Sequence, residues 1–344
     1  MRGSILIFGG LLVGILTGLV LSGLPKEVKD YKLASKPLYR DPVYDGAADP
    51  VVVWNPLVKK WWMFYTSRRA TVTNEPGVSW VHGSQIGIAE SEDFGATWRY
   101  VGNARVQLPS RFKSDSVTLW APEIIKAPNG VFHMFITVVP GIFADWNHPR
   151  SIVQLTSTNL IDWSDGEVLE LASDRVIDPC VLRLPDGTWR LWYNNERDRK
   201  SIWYADSTDL VNWVDQGRAV GDQPGEGPKV FYWRGYYWMI TDVWRGLAVY
   251  RSTNAMDWVR QPYNLLDTPG EGPDDGAKGQ HADVVVSGNQ AFIFYFTHPD
   301  AGKQGTDAYS KQRSSIQVAE LEYKDGWLDC DRNKPTGIRL QPPE

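Results

Sequence analysis

Five segments of the chain pair small or turn-forming residues with an ionisable side chain just ahead of a β-branched run. They are Ala48-Asp49-Pro50-Val51-Val52-Val53, Ala121-Pro122-Glu123-Ile124-Ile125, Asp178-Pro179-Cys180-Val181-Leu182, Glu226-Gly227-Pro228-Lys229-Val230 and His281-Ala282-Asp283-Val284-Val285-Val286. Asp49, Glu123, Asp178, Glu226 and His281 thus occupy one repeated setting. Brought into a single cavity, acids at these places repel one another, so that some hold protons while others stay ionised. Such an arrangement adds nothing to a stable fold and points to proton-transfer chemistry. Any one of these acids alone could be a turn or a strand cap, Asp-Pro being a common turn. The repetition carries the argument.

The elements that must position these residues repeat as well. Each segment leads through a turn into an aromatic strand: residues 61–65, 131–136, 189–193, 236–240 and 291–296. A third strand follows at Ile86-Gly87-Ile88-Ala89, Ile152-Val153-Gln154-Leu155, Ile202-Trp203-Tyr204-Ala205, Leu247-Ala248-Val249-Tyr250 and Ile316-Gln317-Val318-Ala319. Four of the third strands run into a Ser-x-Asp/Asn turn closed by Trp98, Trp163, Trp213 or Trp258, and the fifth unit ends less regularly near Trp327. Five units with the same start and stop chemistry predict an all-β fold, a five-bladed β-propeller. A two-sheet sandwich also alternates strands but does not repeat those boundaries. In a propeller the first strand of every blade lines the central channel, which gathers the five ionisable residues at one mouth.

Composition bounds the function. The chain has 344 residues, a net charge of -5 and 22% charged residues, so no concentrated basic surface is implied and nucleic acid is not an expected partner. Two cysteines, Cys180 and Cys330, exclude a disulfide scaffold and a four-thiolate zinc site, though a bond between them stays open. The 17 Trp suggest either repeated packing sites or a sugar-stacking surface. Residues 5–24 carry no charge, follow Arg2 and end at Pro25 and the charged run Lys26-Glu27-Val28-Lys29-Asp30. That pattern reads as an export signal or a single membrane anchor within residues 1–30, leaving 31–344 as a catalytic propeller outside the cytoplasm. Any membrane contact would then run through the uncleaved segment alone, and a monomer is expected.

At these residues the chain resembles glycoside hydrolase family 43, the five-bladed inverting glycosidases, over nearly all of its length after about residue 40. The resemblance implies a general base at Asp49, a pKa modulator and orienter of the acid at Asp178 (Ile177-Asp178-Pro179), and a general acid at Glu226 (Glu226-Gly227-Pro228, before Gly235-Tyr236-Tyr237). The family's Trp-Ala-Pro-Asp motif stands here as Trp120-Ala121-Pro122-Glu123, with Glu in place of Asp. Its blade-five glycine-histidine motif appears as Gly279-Gln280-His281 with altered spacing, which puts in doubt a structural calcium in the channel held by His281 through water. No organic cofactor is implied. An inverting glycosidase needs a carboxylic acid to protonate the leaving oxygen and a carboxylate to activate water, about 6.5–9.5 Å apart. The implied substrates are pentose or furanose sugars in arabinosyl, xylosyl or galactosyl linkages.

Further binding candidates are Trp120, Trp146 and Trp244 for sugar stacking, with Glu123, His281 and Arg313 for hydroxyl or carboxylate contacts. The aromatic stretch from Pro140 to Arg150 is a candidate subsite wall. Three rival readings stay open: a non-catalytic carbohydrate-binding propeller, a retaining fructan-type hydrolase, and a sialidase-type hydrolase suggested by the full Asp-box Ser91 to Trp98. Such boxes are rim turns, and Ala48-Asp49-Pro50 lacks the Asn that a fructan-type nucleophile motif carries.

Overall fold

Strand-forming runs of Val, Ile, Phe, Tyr and Trp can be buried on both faces only if each sheet is covered by its neighbours. The second strands show this best: Phe132–Val139 and Trp189–Asn195 are buried at every residue. The computed structural model describes Met1, residues 31–112 and residues 117–343. The hydrophobic segment at 5–24, read above as a signal or anchor, lies outside the described residues. Among the described residues no helix is long and apolar enough to cross a membrane.

Five antiparallel sheets form the blades, each a meander of consecutive strands. Blade one is Ala47–Asn55, Lys60–Ser67, Gln85–Ser91 and Arg99–Asn103. Blade two is Thr118–Lys126, Phe132–Val139, Ser151–Ser157 and Asp162–Val168, extended by Arg105–Val106 running parallel at its rim. Blade three is Val176–Arg183, Trp189–Asn195, Ser201–Ser207 and Val214–Val220, and blade four is Glu226–Trp233, Tyr236–Asp242, Leu247–Ser252 and Val259–Arg260. Blade five is Gln280–Ser287, Gln290–Thr297, Ser315–Lys324 and Trp327–Asp329. The first strands neighbour one another in sequence order, and that of blade five packs beside that of blade one, closing the ring. Lys32–Leu33 pairs with Gly337–Ile338, so the two ends of the propeller meet.

The repeated rim turns explain part of the Trp count. Ser157, Ser207 and Ser252 each accept backbone amides through Oγ, and the Asx two residues on accepts the next amides (Asn159, Asp209, Asn254). These bonds hold Leu160, Leu210 and Ala255 at φ of 64°, 62° and 58°, where a non-glycine residue needs such support. Trp98, Trp163, Trp213 and Trp258 then pack between blades, with Trp163 edge-on to Phe64 and Trp213 edge-on to Phe135.

Every first strand carries a bulge at the same place. The register slips between Ala48 and Val51, Trp120 and Glu123, Ile177 and Cys180, Glu226 and Lys229, and Gln280 and Ala282. Asp49, Ala121, Asp178 and Gly227 sit in these bulges with φ of 49°, 45°, 59° and 57°. A bulge re-aims a side chain, and a left-handed non-glycine residue costs on the order of 1 kcal/mol. Asp49 and Asp178 are thus structural equivalents. Glu226 lies one residue before its bulge, whereas Glu123 lies two residues after Ala121, level with Lys229 and Asp283. That offset moves Glu123 away from the mouth.

Candidate active site

The first strands begin at the channel mouth, and the antiparallel second strands end there. Their ends enclose a cavity of about 400 Å³ lined by Asp49, Asp178, Glu226, His281, Trp120, Trp146 and Trp244, together with Arg68, Arg150, Arg175, Glu196 and Lys200. Seven of the nine candidate residues therefore come together although they span blades one to five.

Asp49 is buried and faces two cations. Arg68 Nη2 reaches both carboxylate oxygens at 3.1 Å, and His281 Nδ1 lies 3.4 Å from Oδ1. Burial by itself raises a carboxyl pKa, but Arg68 and His281 outweigh it, so Asp49 is held well below the usual carboxylate range. Burial would strip His281 of its proton; the hydrogen bond to Asp49 and the charges of Asp178 and Asp49 instead push it up to about 9.

Asp178 has the opposite setting. Its Oδ2 accepts the Gly227 amide at 2.9 Å. Burial, with Glu226 and Asp49 nearby and only partly offset by His281, raises it to about 7. Their surroundings thus push two equivalent aspartates, on blades one and three, in opposite directions, Asp49 down and Asp178 up.

Glu226 is a quarter exposed and faces the cavity. Its Oε1 accepts the indole N–H of Trp244 at 3.1 Å, and its Oε2 lies 3.3 Å from Lys200 Nζ. Lys200 also sits 5.3 Å over the Trp244 ring. Beneath them Asp242 accepts the amides of Trp244 and His281, at 2.7 and 3.2 Å, and burial followed by Glu226 raises it to about 6.

The aromatic side of the cavity comes from the stretch between Pro140 and Arg150. Trp146 is 51% exposed, and its carbonyl is held by Arg150 Nη2 and Arg175 Nη2 at 2.6 and 2.7 Å. Trp120 is 8% exposed, donates to the Val81 carbonyl at 2.7 Å and lies under the Arg150 guanidinium at 5.6 Å. It forms wall more than platform.

Two expected site residues lie elsewhere. Glu123 is buried in the channel, where Lys229 Nζ lies 3.0 Å from its Oε2 and 2.8 Å from Asp283 Oδ1. Arg313 caps the short helix Ala308–Gln312 and pairs with Asp274 at 2.6 Å and Asp300 at 2.8 Å, which turns its guanidinium away from the cavity. Cys180 is buried, and both cysteines are free thiols.

Among the described residues no direct ligand set for a calcium ion is assembled. The ammonium of Lys229 already spans Glu123 and Asp283, and the Nδ1 of His281 is engaged by Asp49.

Arg68, Glu196, Lys200 and Arg175 were not anticipated from sequence, and Arg150 only as the end of the candidate wall from Pro140. Arg68, Glu196 and Trp244 follow the second strands of blades one, three and four within two residues. The rule that places first-strand starts at the mouth also places second-strand ends there, and it would have flagged them.

Residues 39–328 match the model of the glycosyl hydrolases family 43. The chain belongs to this family. It is a glycoside hydrolase, and solved structures share its propeller. A thermostable family-43 glycoside hydrolase matches at 19% identity over 88% of this chain and 100% of its own, with a TM-score of 0.60. A family-43 β-1,3-galactosidase bound to galactodeoxynojirimycin matches at 15% identity over 88% and 100%, with a TM-score of 0.62. A β-xylosidase/α-arabinofuranosidase from a compost microbial metagenome, solved with xylotriose in a calcium-free form, matches at 14% identity over 82% and 93%, with a TM-score of 0.60. A comparison of the family-43 chain with curated proteins gives no match.

Proposed function

We propose that this family-43 hydrolase cleaves arabinosyl, xylosyl or galactosyl linkages by single-step inversion. Glu226 is the general acid, Asp49 the general base, and Asp178 the group that orients and tunes Glu226. The supporting observation is electrostatic: Asp49 is held ionised by Arg68 and His281, while Asp178, anchored to the Gly227 amide beside Glu226, is raised to about 7.

A sugar ring bound between the two carboxyl groups receives a proton from Glu226 on its leaving oxygen as Asp49 draws a proton from water at the opposite face. Trp244 and Lys200 fix the Glu226 carboxyl from two sides, which limits its rotamers. The pentose and galactose classes rest on the substrates named for the structural neighbours. The hydrophobic segment at 5–24 favours action outside the cytoplasm.

The test is hydrolysis of aryl arabinofuranosides, xylosides and galactosides, with the anomer of the first product read by NMR. Inverted configuration is expected, and Glu226→Gln should lose about 10²–10⁴ in rate on substrates with poor leaving groups. A retained configuration, or undiminished activity in Glu226→Gln, overturns the assignment.

A further inference from the structure

One wall of the cavity carries more positive charge than its carboxylates balance. Glu196, whose side chain is 7% exposed, faces three cations: Arg150 Nε at 2.6 Å, Lys200 Nζ at 2.7 Å and Arg175 Nε at 3.7 Å. Lys200 is shared with Glu226 at 3.3 Å. Three cations therefore stand against two carboxylates in the resting site. When Glu226 carries the proton it must donate, one carboxylate faces all three. On the far side Asp49 meets Arg68 and His281 and Asp178 accepts the Gly227 amide, so around the whole cavity the basic side chains Arg68, Arg150, Arg175, Lys200 and His281 still outnumber the acidic ones, Asp49, Asp178, Glu196 and Glu226, by five to four.

An excess of this kind is costly in a cleft walled by protein, where charges are screened less than at an open surface. It is also unexpected for a chain with a net charge of -5. Neutral sugars need hydrogen-bond donors and acceptors in balance. Guanidinium groups, by contrast, match planar oxyanions and bind them with charge-assisted bonds. The exposed ring of Trp146 stands beside these cations, fastened through its carbonyl to both arginines, so a ring stacked there places an exocyclic substituent within reach of the cationic wall.

We propose that Arg150, Arg175 and Lys200, grouped around Glu196, form a subsite for an anionic sugar, one bearing a carboxylate as in a uronic acid or a sulfate ester. This deepens the glycosidase reading and rests on it for the cavity's use. The substrate class becomes an acidic glycan, with the charged unit stacked on Trp146 next to the scissile bond.

The test is calorimetric binding to the full chain of D-galacturonate against D-galactose, D-glucuronate against D-glucose, and galactose 6-sulfate. At low ionic strength each anionic sugar should bind about tenfold more tightly than its neutral counterpart. That preference should shrink as salt is added. Arg175→Met and Lys200→Met should each abolish most of it, and Arg175→Lys should restore part. Lys200 holds no backbone carbonyl, so its variant guards against a loop displaced by loss of Arg175. Preference for the sulfate over both sugar acids assigns a sulfate subsite, and the reverse a carboxylate one. No preference for anionic sugars, including no detectable binding of either class, overturns the proposal. Hydrolysis of neutral aryl glycosides without anionic preference leaves the glycosidase reading standing while this one falls. Anionic preference without any hydrolysis does the opposite.

Discussion

The Asp178 carboxylate accepts the backbone amide of Gly227 at 2.9 Å, tying blade three to blade four one residue from Glu226. Both ends of that bond lie in bulges with left-handed backbone, Asp178 at φ 59° and Gly227 at φ 57°. A Cβ at Gly227 would lie 2.6 Å from the His281 ring, so glycine is required there both for its backbone and for the close approach of blade five. The acid's neighbour, the modulating aspartate and the histidine are thereby packed as one unit.

Replacing Asp178 by Asn keeps an acceptor for the Gly227 amide and removes a buried carboxyl. The folded pKa of Asp178 is raised to about 7, above its unfolded value, so the native state binds this proton more tightly. The contribution of Asp178 to stability is therefore lost as pH rises from about 4 through 7. Asp178→Asn should melt higher than wild type near pH 8, with the gap closing near pH 5, while activity falls at least about 10²-fold. Melting curves at both pH values check the first part; equal shifts at both would remove the titration argument.

Lys229→Met leaves Glu123 and Asp283 buried together without their cation. The expected loss is about 3–5 kcal/mol of stability, read by denaturant unfolding. Changing all three to uncharged residues of similar size (Glu123→Gln, Lys229→Met, Asp283→Asn) should recover most of it. Because Lys229 already fills the place between the carboxylates, a chelator should leave the wild-type melting temperature where it is; a marked drop would show that an ion is bound after all.

Trp244→Phe retains an aromatic face under Lys200 but deletes the N–H that reaches Glu226 at 3.1 Å. A hydrogen bond to a charged group contributes about 1.5–3 kcal/mol, so kcat should fall about tenfold or more with KM little changed. A change in KM alone would make Trp244 a binding surface only.

Arg313→Ala should reduce stability by about 1–3 kcal/mol through loss of its partly buried pairs with Asp274 and Asp300. Steady-state kinetics should stay within about twofold of wild type, since the side chain does not line the cavity. A large rise in KM would restore the binding role first expected of it.

Local chemistry was legible in the sequence because it is written within a few residues. The Ser-x-Asx turns with their tryptophans build the same hydrogen bonds wherever they occur, so four of them, with five aromatic second strands, specify the blades and their number. Asp49, Asp178, Glu226 and His281 are legible for the same reason: each opens a first strand, and every first strand opens at the mouth. Register is another matter. The bulges, which slip the pairing after Ala48, Trp120 and Ile177, aim Asp49 and Asp178 into the cavity, while Glu123, two residues beyond the equivalent place, joins Lys229 and Asp283 in the channel. The cationic wall depends on tertiary structure even more. Arg150, Arg175, Glu196 and Lys200 lie in segments that flank strands of two blades, and they meet because blades two and three pack side by side. Sequence determines which strands form; the charge that faces a substrate is a sum over side chains from different blades, and only the closed ring performs it.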